Sequence, residues 1–184
     1  MARLVDLDQV KRQLDDQSTD NATELGLYMD AATDAIERFT GPVINREVTE
    51  KVNARGTRLA LTQVPVVSLD AIAPVGTTGM AIDLGDVDVD SDTGVVTYLD
   101  GRAFSGGPWE VTYTAGRGDT VPPTIQLAAL LLIQHLWRTK YGAPRGLGGQ
   151  DDYSVTEPIP GFGYAVPNRV LTLLEPYQQP PGIA

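Results

Sequence analysis

The sequence of 184 residues contains no cysteine and a single histidine, His135. Without cysteine the chain has no disulfide, no thiolate zinc site and no cysteine nucleophile. One histidine also excludes multi-histidine metal sites, and no Ser-His-Asp arrangement can be assigned around it. Basic residues are scarce, at 14 against 24 acidic residues, so the formal net charge is −10. Because nucleic-acid binding depends on neutralising phosphates, this balance disfavours free DNA or RNA binding.

Long apolar runs are absent as well. The N-terminal segment MARLVDLDQV holds no run that could act as a signal peptide. The uninterrupted apolar run at residues 127–133 has seven residues, far fewer than the ~20 that span a bilayer. The sequence therefore predicts a folded protein without a membrane partner that stays in the cytoplasm where it is made.

Four segments show the spacing or the end signals of helices. The first starts after Asp6, which can form a capping box with Gln9. The second begins at Asn21 and carries an apolar stripe of Leu25, Tyr28, Met29, Ala32, Ile36 and Phe39 as far as Gly41. The third covers residues 124–141, and a short last helix begins at Pro167 or Asn168 and ends at Pro176.

Between the second and third helices the periodicity changes to that of strands. Segments rich in β-branched residues alternate with turn residues at 47–53, 58–62, 66–73, 86–89, 95–99 and 109–115. We therefore predict an α+β fold in which a helical bundle carries an inserted small antiparallel sheet or barrel-like lobe. The predicted organisation is a helical core (1–42 and 117–141), a β lobe (43–116), a Gly/Pro-rich arm (142–166), and a short C-terminal helix with its tail (167–184).

The third helix is apolar nearly all round, so it needs cover on more than one side. In a chain of this size part of that cover can come from another subunit. We therefore predict a subunit interface formed by Leu127, Leu130, Leu131, Ile133, His135 and Trp137. Since no nucleophile or carboxylate can be assigned to His135, the sequence favours a packed or interface histidine over a catalytic base.

The acidic run of residues 83–94 allows two interpretations. Alternating aspartates can surround a calcium ion. The spacing fails the EF-hand pattern, however, because with Asp88 first the glycine comes seventh and Leu99 replaces the bidentate glutamate. The favoured alternative is a β-hairpin in which Asp88 and Asp90 face solvent and a turn at 92–94 follows. A calcium-dependent binding module remains the second hypothesis.

Four short sequence segments occur in an order that is typical of one protein family. They are ATDAIERFTG at 32–41, VTYTAG at 111–116 before VPP at 121–123, LWRTKY at 136–141, and VPNRV at 166–170 leading to LLEPY at 173–177. In these the chain resembles the head-tail connector (adaptor, or head-completion) proteins of long-tailed double-stranded-DNA bacteriophages. The β segment is larger than in the compact all-helical members.

The resemblance implies a structural virion protein of the neck, between head and tail, without enzyme activity or cofactor. It implies a ring, usually of twelve copies, that binds the portal on one side and a stopper or tail terminator protein on the other, while duplex DNA passes through its channel without specific binding. Connector termini reach the portal, so the resemblance assigns portal docking to Leu174, Tyr177, Pro180 and Ile183.

Overall fold

The computed structural model describes residues 3–15, 18, 20–76, 80–105, 107–141 and 166–179. The helices are α1 (Leu7–Leu14), α2 (Ala22–Thr40), α3 (Pro123–Tyr141) and α4 (Asn168–Leu174). The strands are β1 (Arg46–Val52), β2 (Arg58–Ala60), β3 (Val66–Pro74), β4 (Val87–Val89), β5 (Val95–Tyr98) and β6 (Trp109–Ala115). Single 3-10 turns lie at Leu84–Asp86 and Glu175–Tyr177. The fold is mixed α and β, with two small antiparallel sheets.

The chain divides into two compact units. The helical unit comprises Met1–Thr40 and Val121–Gln178, and the β unit comprises Gly41–Thr120 and Gln179–Ala184. Two segments that are distant in sequence therefore build the helical unit. Among the described residues, no helix has the length and apolar character needed to cross a membrane.

The helix ends follow the local signals in the sequence. Asp6 Oδ1 accepts a hydrogen bond from the Gln9 amide at 2.7 Å, and Gln9 Oε1 accepts one from the Asp6 amide at 3.0 Å. This confirms the predicted capping box. Gly41 follows α2 with φ at +74°, as expected of a glycine that ends a helix. Neither 3-10 turn was predicted.

Helix α3 contacts α1, α2 and α4 and is the centre of the helical unit. Its buried positions are Ile125, Ala128, Ala129, Leu132 and Ile133. These recur at intervals of three and four residues, so they form one continuous face. The buried apolar side chains of the other helices are Val10 in α1, Leu25, Met29, Ala32, Ala35 and Ile36 in α2, and Val170 and Leu174 in α4.

All six predicted strands are present, with ends within two residues of those expected. They form two sheets rather than one. The first sheet has the order β1-β6-β3 and the second has the order β2-β5-β4, with every pair antiparallel. A single core serves both sheets, since Leu59 and Val96 of the second sheet cluster with Ile72, Val111 and Tyr113 of the first.

A partly buried polar network ties the first sheet to the loop before β3. The Tyr113 hydroxyl donates to Glu50 Oε1 at 2.8 Å and accepts from the Gln63 amide at 3.0 Å. Glu50 also accepts from the Thr62 amide at 2.8 Å and from the Thr62 hydroxyl at 2.6 Å. Burial, with a contribution from the Glu50 carboxylate, raises the pKa of Tyr113 to about 12.

Candidate subunit and docking surfaces

Helix α3 begins at Pro123, a position where the missing amide proton of proline is not needed. The face opposite its buried positions carries leucines as well as Gln134, which accepts a hydrogen bond from the Gln13 side chain of α1 at 3.3 Å. Leu127 is 45% exposed, while Leu130 and Leu131 are half-buried. The helical unit therefore leaves an apolar strip on α3, which we call the α3 strip and define by Leu127, Leu130 and Leu131.

The other residues predicted for the subunit interface lie elsewhere. Ile133 is 1% exposed and belongs to the core of the helical unit, so it is not available to a partner. Trp137 is half-buried and packs edge-on against Tyr28 of α2, with ring centroids 6.1 Å apart. His135 is also half-buried, and this burial lowers its pKa, which favours the neutral imidazole at pH 7.

A further exposed leucine on a helix was not predicted as a surface residue. Leu27 on α2 is 66% exposed. The predicted apolar stripe of α2 includes its neighbours Leu25 and Tyr28 but leaves Leu27 out. An apolar residue off the stripe of an amphipathic helix was therefore the available signal.

The residues assigned to portal docking are only partly described. Leu174 is fully buried in the helical unit, so it anchors α4 rather than forming a surface. Tyr177 is half-buried in the 3-10 turn that follows α4. Pro180 and Ile183, and the Gly/Pro-rich arm apart from Val166, lie outside the described residues.

The acidic run forms the predicted hairpin. Strands β4 and β5 pair antiparallel, and Gly94 in the turn has φ at +68°. Asp88 and Asp90 are exposed. The amides of Asp92 and Thr93 donate to Asp90 at 3.1 and 3.3 Å. A hydrogen bond from the Thr93 side chain, together with these two amides, lowers the Asp90 pKa.

Two other carboxylates of the acidic run, those of Asp83 and Asp86, have partners of their own. Asp83 accepts from the Gly85 amide at 2.9 Å, and Asp86 pairs with Arg102 at 2.8 Å. No three acidic or histidine side chains of the described residues form a group that could hold a metal ion. Nothing in this arrangement supports the calcium-module hypothesis.

Two of the open clefts among the described residues lie in the helical unit. The larger, about 540 Å³, lies beside residues 3–7 and is bordered by Gln9, Met29, Val121 and Gln126. Arg3 at its edge makes two hydrogen bonds to Asp30, of 2.7 and 2.9 Å. The smaller, about 290 Å³, lies between Phe39 and α4. These clefts and the α3 strip offer surfaces for contact rather than a set of reacting groups.

Comparison with known proteins gives one family and several structures. The family model of the head completion protein matches residues 3–179. A chain in the neck of an empty GTA particle, treated with C6 symmetry, is 21% identical with a TM-score of 0.68, and the match covers 98% of this chain and 92% of that one.

Two further structures have the same fold. A chain in the virion of a native gene transfer agent particle is 18% identical with a TM-score of 0.64, over 98% of this chain and 92% of that one. A chain in the neck of a native GTA particle, treated with C12 symmetry, is 21% identical with a TM-score of 0.64, over 97% and 90%. No curated protein matches in sequence.

Proposed function

This chain belongs to the head completion protein family, and we propose that it is a structural virion protein of the neck that joins the portal of a DNA-filled head to the tail. The match covers residues 3–179, which includes both units. The structures of similar fold are described as parts of the neck or virion of GTA particles. Its role is assembly and contact, not the conversion of a substrate.

Several copies form a ring, for which twelve is the expected number. The observation that carries this proposal is the α3 strip, since Leu127, Leu130 and Leu131 remain uncovered or half-covered on the central helix of the unit. Apolar surface of this kind is removed from water when a second copy packs on it. The neck structures similar to this chain were treated with C6 and C12 symmetry, which supports a ring.

The ring has a portal on one side and a stopper or tail terminator on the other. The helices act as one bundle, supported by the contacts of α3 with α1, α2 and α4, and the β lobe is an insertion in that bundle. The portal contact is assigned to the end of the chain, from Tyr177 through Pro180 and Ile183. A Pro-Pro pair presets an extended backbone, which loses less entropy on docking.

Duplex DNA passes through the channel without specific binding. The formal charge of −10 per copy is repeated around the ring, so the surface repels phosphate as a whole. Repulsion of this kind allows passage without trapping the DNA.

The experiment is the mass of the protein in solution, alone and with the portal ring of the same particle. We expect a complex that contains several copies per portal, and heads without this chain should fail to acquire tails. A chain that remains monomeric with portal, or tailed particles formed in its absence, would contradict the proposed function.

A further inference from the structure

The second sheet has one acidic edge and one basic edge. Asp88 lies on the edge strand β4 and Asp92 in the turn that follows it, and both side chains are exposed. The nearby carboxylates of Asp83, Asp86 and Asp90 are held by a backbone amide, by Arg102 and by the turn, respectively. Within the described residues, Asp88 and Asp92 have no cationic partner. We call these two residues the acidic edge.

The opposite edge carries two arginines. Arg55 and Arg58 flank the tight turn of Gly56 and Thr57 and form an isolated antiparallel bridge, with the Arg55 amide donating to the Arg58 carbonyl at 2.9 Å. Both side chains are exposed. Neither has an anionic partner in the part of the chain that the structure describes. We call Arg55 and Arg58 the basic edge.

The register places the two edges at the ends of one row of residues. Thr97 of β5 pairs with Arg58 on one side and with Asp88 on the other. Residues paired in this way point to the same face of a sheet. The row therefore runs from a cation through a neutral residue to an anion, with the charges at opposite borders. Each edge carries two charges of one sign, so a charge of the opposite sign beside it would be attracted to both.

We propose that the acidic edge of one copy contacts the basic edge of the next copy in the ring. The inference rests on the proposed function, which requires several copies, and it names a second surface, besides the α3 strip, through which they meet. Two different patches of the same chain make a head-to-tail contact, and such contacts close into a ring when the rotation between copies allows it. Opposite charges at the two borders also fix the order of the copies and disfavour edge-to-edge pairing of like edges.

The test reverses each edge separately. The variant Asp88→Arg/Asp92→Arg has two basic edges, and the variant Arg55→Glu/Arg58→Glu has two acidic edges. All four side chains are exposed, so we expect both variants to melt at the temperature of the wild type. Each variant alone should assemble, in solution or on the portal, at least about tenfold more weakly than the wild type, because every contact then joins like charges.

An equimolar mixture of the two variants gives the decisive result. Each basic edge then finds an acidic edge on the other variant, so assembly should recover as a ring of alternating copies. Native mass spectrometry distinguishes the variants by mass and should find equal numbers of each. The control Asp34→Arg/Glu47→Arg changes the charge by the same amount as Asp88→Arg/Asp92→Arg, at exposed positions that belong to neither edge, and should assemble like the wild type.

Assembly should also weaken as salt is raised from about 0.1 to 1 M, since the screening length falls from about 10 to 3 Å. If each edge variant assembles as well as the wild type, or if their mixture fails to recover, the edge contact is wrong while the ring stands. If the wild type forms no multimer alone or on the portal, both the ring and the edge contact are wrong.

Discussion

The Tyr113 hydroxyl on β6 donates a 2.8 Å hydrogen bond to Glu50 on β1, although 63 residues separate them in sequence. Glu50 in turn accepts two hydrogen bonds from Thr62. One carboxylate therefore links β1, β6 and the loop that leads into β3. Removal of the phenolic hydroxyl tests how much this link contributes.

We expect Tyr113→Phe to lower the free energy of unfolding by about 1–2 kcal/mol at pH 7, since the partly buried Glu50 carboxylate loses one of its hydrogen-bond donors. The deficit should shrink at high pH. The pKa of Tyr113 is about 12 in the folded protein and about 10 in the unfolded chain. The unfolded tyrosine therefore ionises first, and the wild type loses stability between these two values, by up to about 1.4 kcal/mol per pH unit for this group.

Urea unfolding of wild type and variant at pH 7 and at about pH 11 checks this pH dependence. Tyr98→Phe is the control, because the Tyr98 ring packs on Phe104 and under Arg102 and no hydrogen bond of its hydroxyl is found in the described residues. A deficit for Tyr113→Phe that is constant across this range would contradict the role of its ionisation.

Two glycines with similar backbone angles differ in their surroundings. Gly94 has φ at +68°, and a Cβ atom there would lie 2.6 Å from Val64 Cγ1 and 3.2 Å from the Leu61 carbonyl oxygen. Gly101 has φ at +74° with nothing within 4 Å. Gly101→Ala should cost about 1–2 kcal/mol from backbone strain alone. Gly94→Ala should cost about 1–3 kcal/mol more, because the side chain also meets its neighbours. Thermal melting of both variants measures the difference, and equal losses would show that the space around Gly94 is not restricted.

Leu127→Glu should block assembly without unfolding the protein. Its side chain is 45% exposed, so the charge stays hydrated in the free chain but must be buried in a ring that packs on the α3 strip. Leu132→Glu, at a position 1% exposed, should instead unfold the helical unit. The control Leu27→Glu makes the same change on the exposed side of α2. Sedimentation with portal measures assembly, and thermal melting measures folding. If the Leu127→Glu variant assembles normally, the α3 strip is not part of the subunit interface.

The free protein should not bind duplex DNA at about 0.15 M salt. Its charge of −10 repels phosphate, and assembly multiplies that charge. A gel-shift titration gives the answer, with the basic variant Asp88→Arg/Asp92→Arg as a probe of whether the charge is the reason. Tight binding by the wild type would show that exposed arginines form a basic patch despite the negative net charge.

Removal of residues 180–184 should weaken portal binding and leave the fold intact. This deletion spares Gln179, whose side-chain amide donates to the Val64 carbonyl at 3.0 Å within the β unit. Thermal melting should therefore be unchanged. Normal portal binding and normal yields of tailed particles after the deletion would show that residues 180–184 do not dock on the portal. The Gly/Pro-rich arm would then be the next candidate.

Local signals in the sequence were sufficient for the elements but not for their partners. The Asp6 and Gln9 spacing located the start of α1, and Gly41 located the end of α2, because caps and breakers act within a few residues. Strand β6 pairs with both β1 and β3, which lie far from it in sequence. The alternation of apolar and polar residues predicts which face of a strand is buried, but not which strands pair with each other. The β lobe was therefore predicted, but its division into two sheets was not.

The same distinction applies to the candidate surfaces. Leu130, Leu131, Leu132 and Ile133 are consecutive and alike in character, so helical periodicity does not tell which of them face the core. Only the positions of α1, α2 and α4 bury Ile133 and leave Leu127 exposed. No sequence pattern predicted the basic edge, because Arg55 and Arg58 come together through a β-bridge and a strand register that cannot be read from the sequence.

The order of the two units along the chain also sets the order of folding. Residues 41–120 are contiguous, so the β unit is nearly complete in sequence before α3 leaves the ribosome. Helices α1 and α2 cannot pack on α3 until α3 is synthesised, which happens only after residues 41–120. Closing such a long loop slows folding when it is unstructured, and a β unit that has already folded shortens the distance that must be searched. Mutations that slow the β unit should therefore delay the helical unit as well, and pulse-labelled hydrogen exchange during refolding would resolve this delay as a late protection of α3 amides.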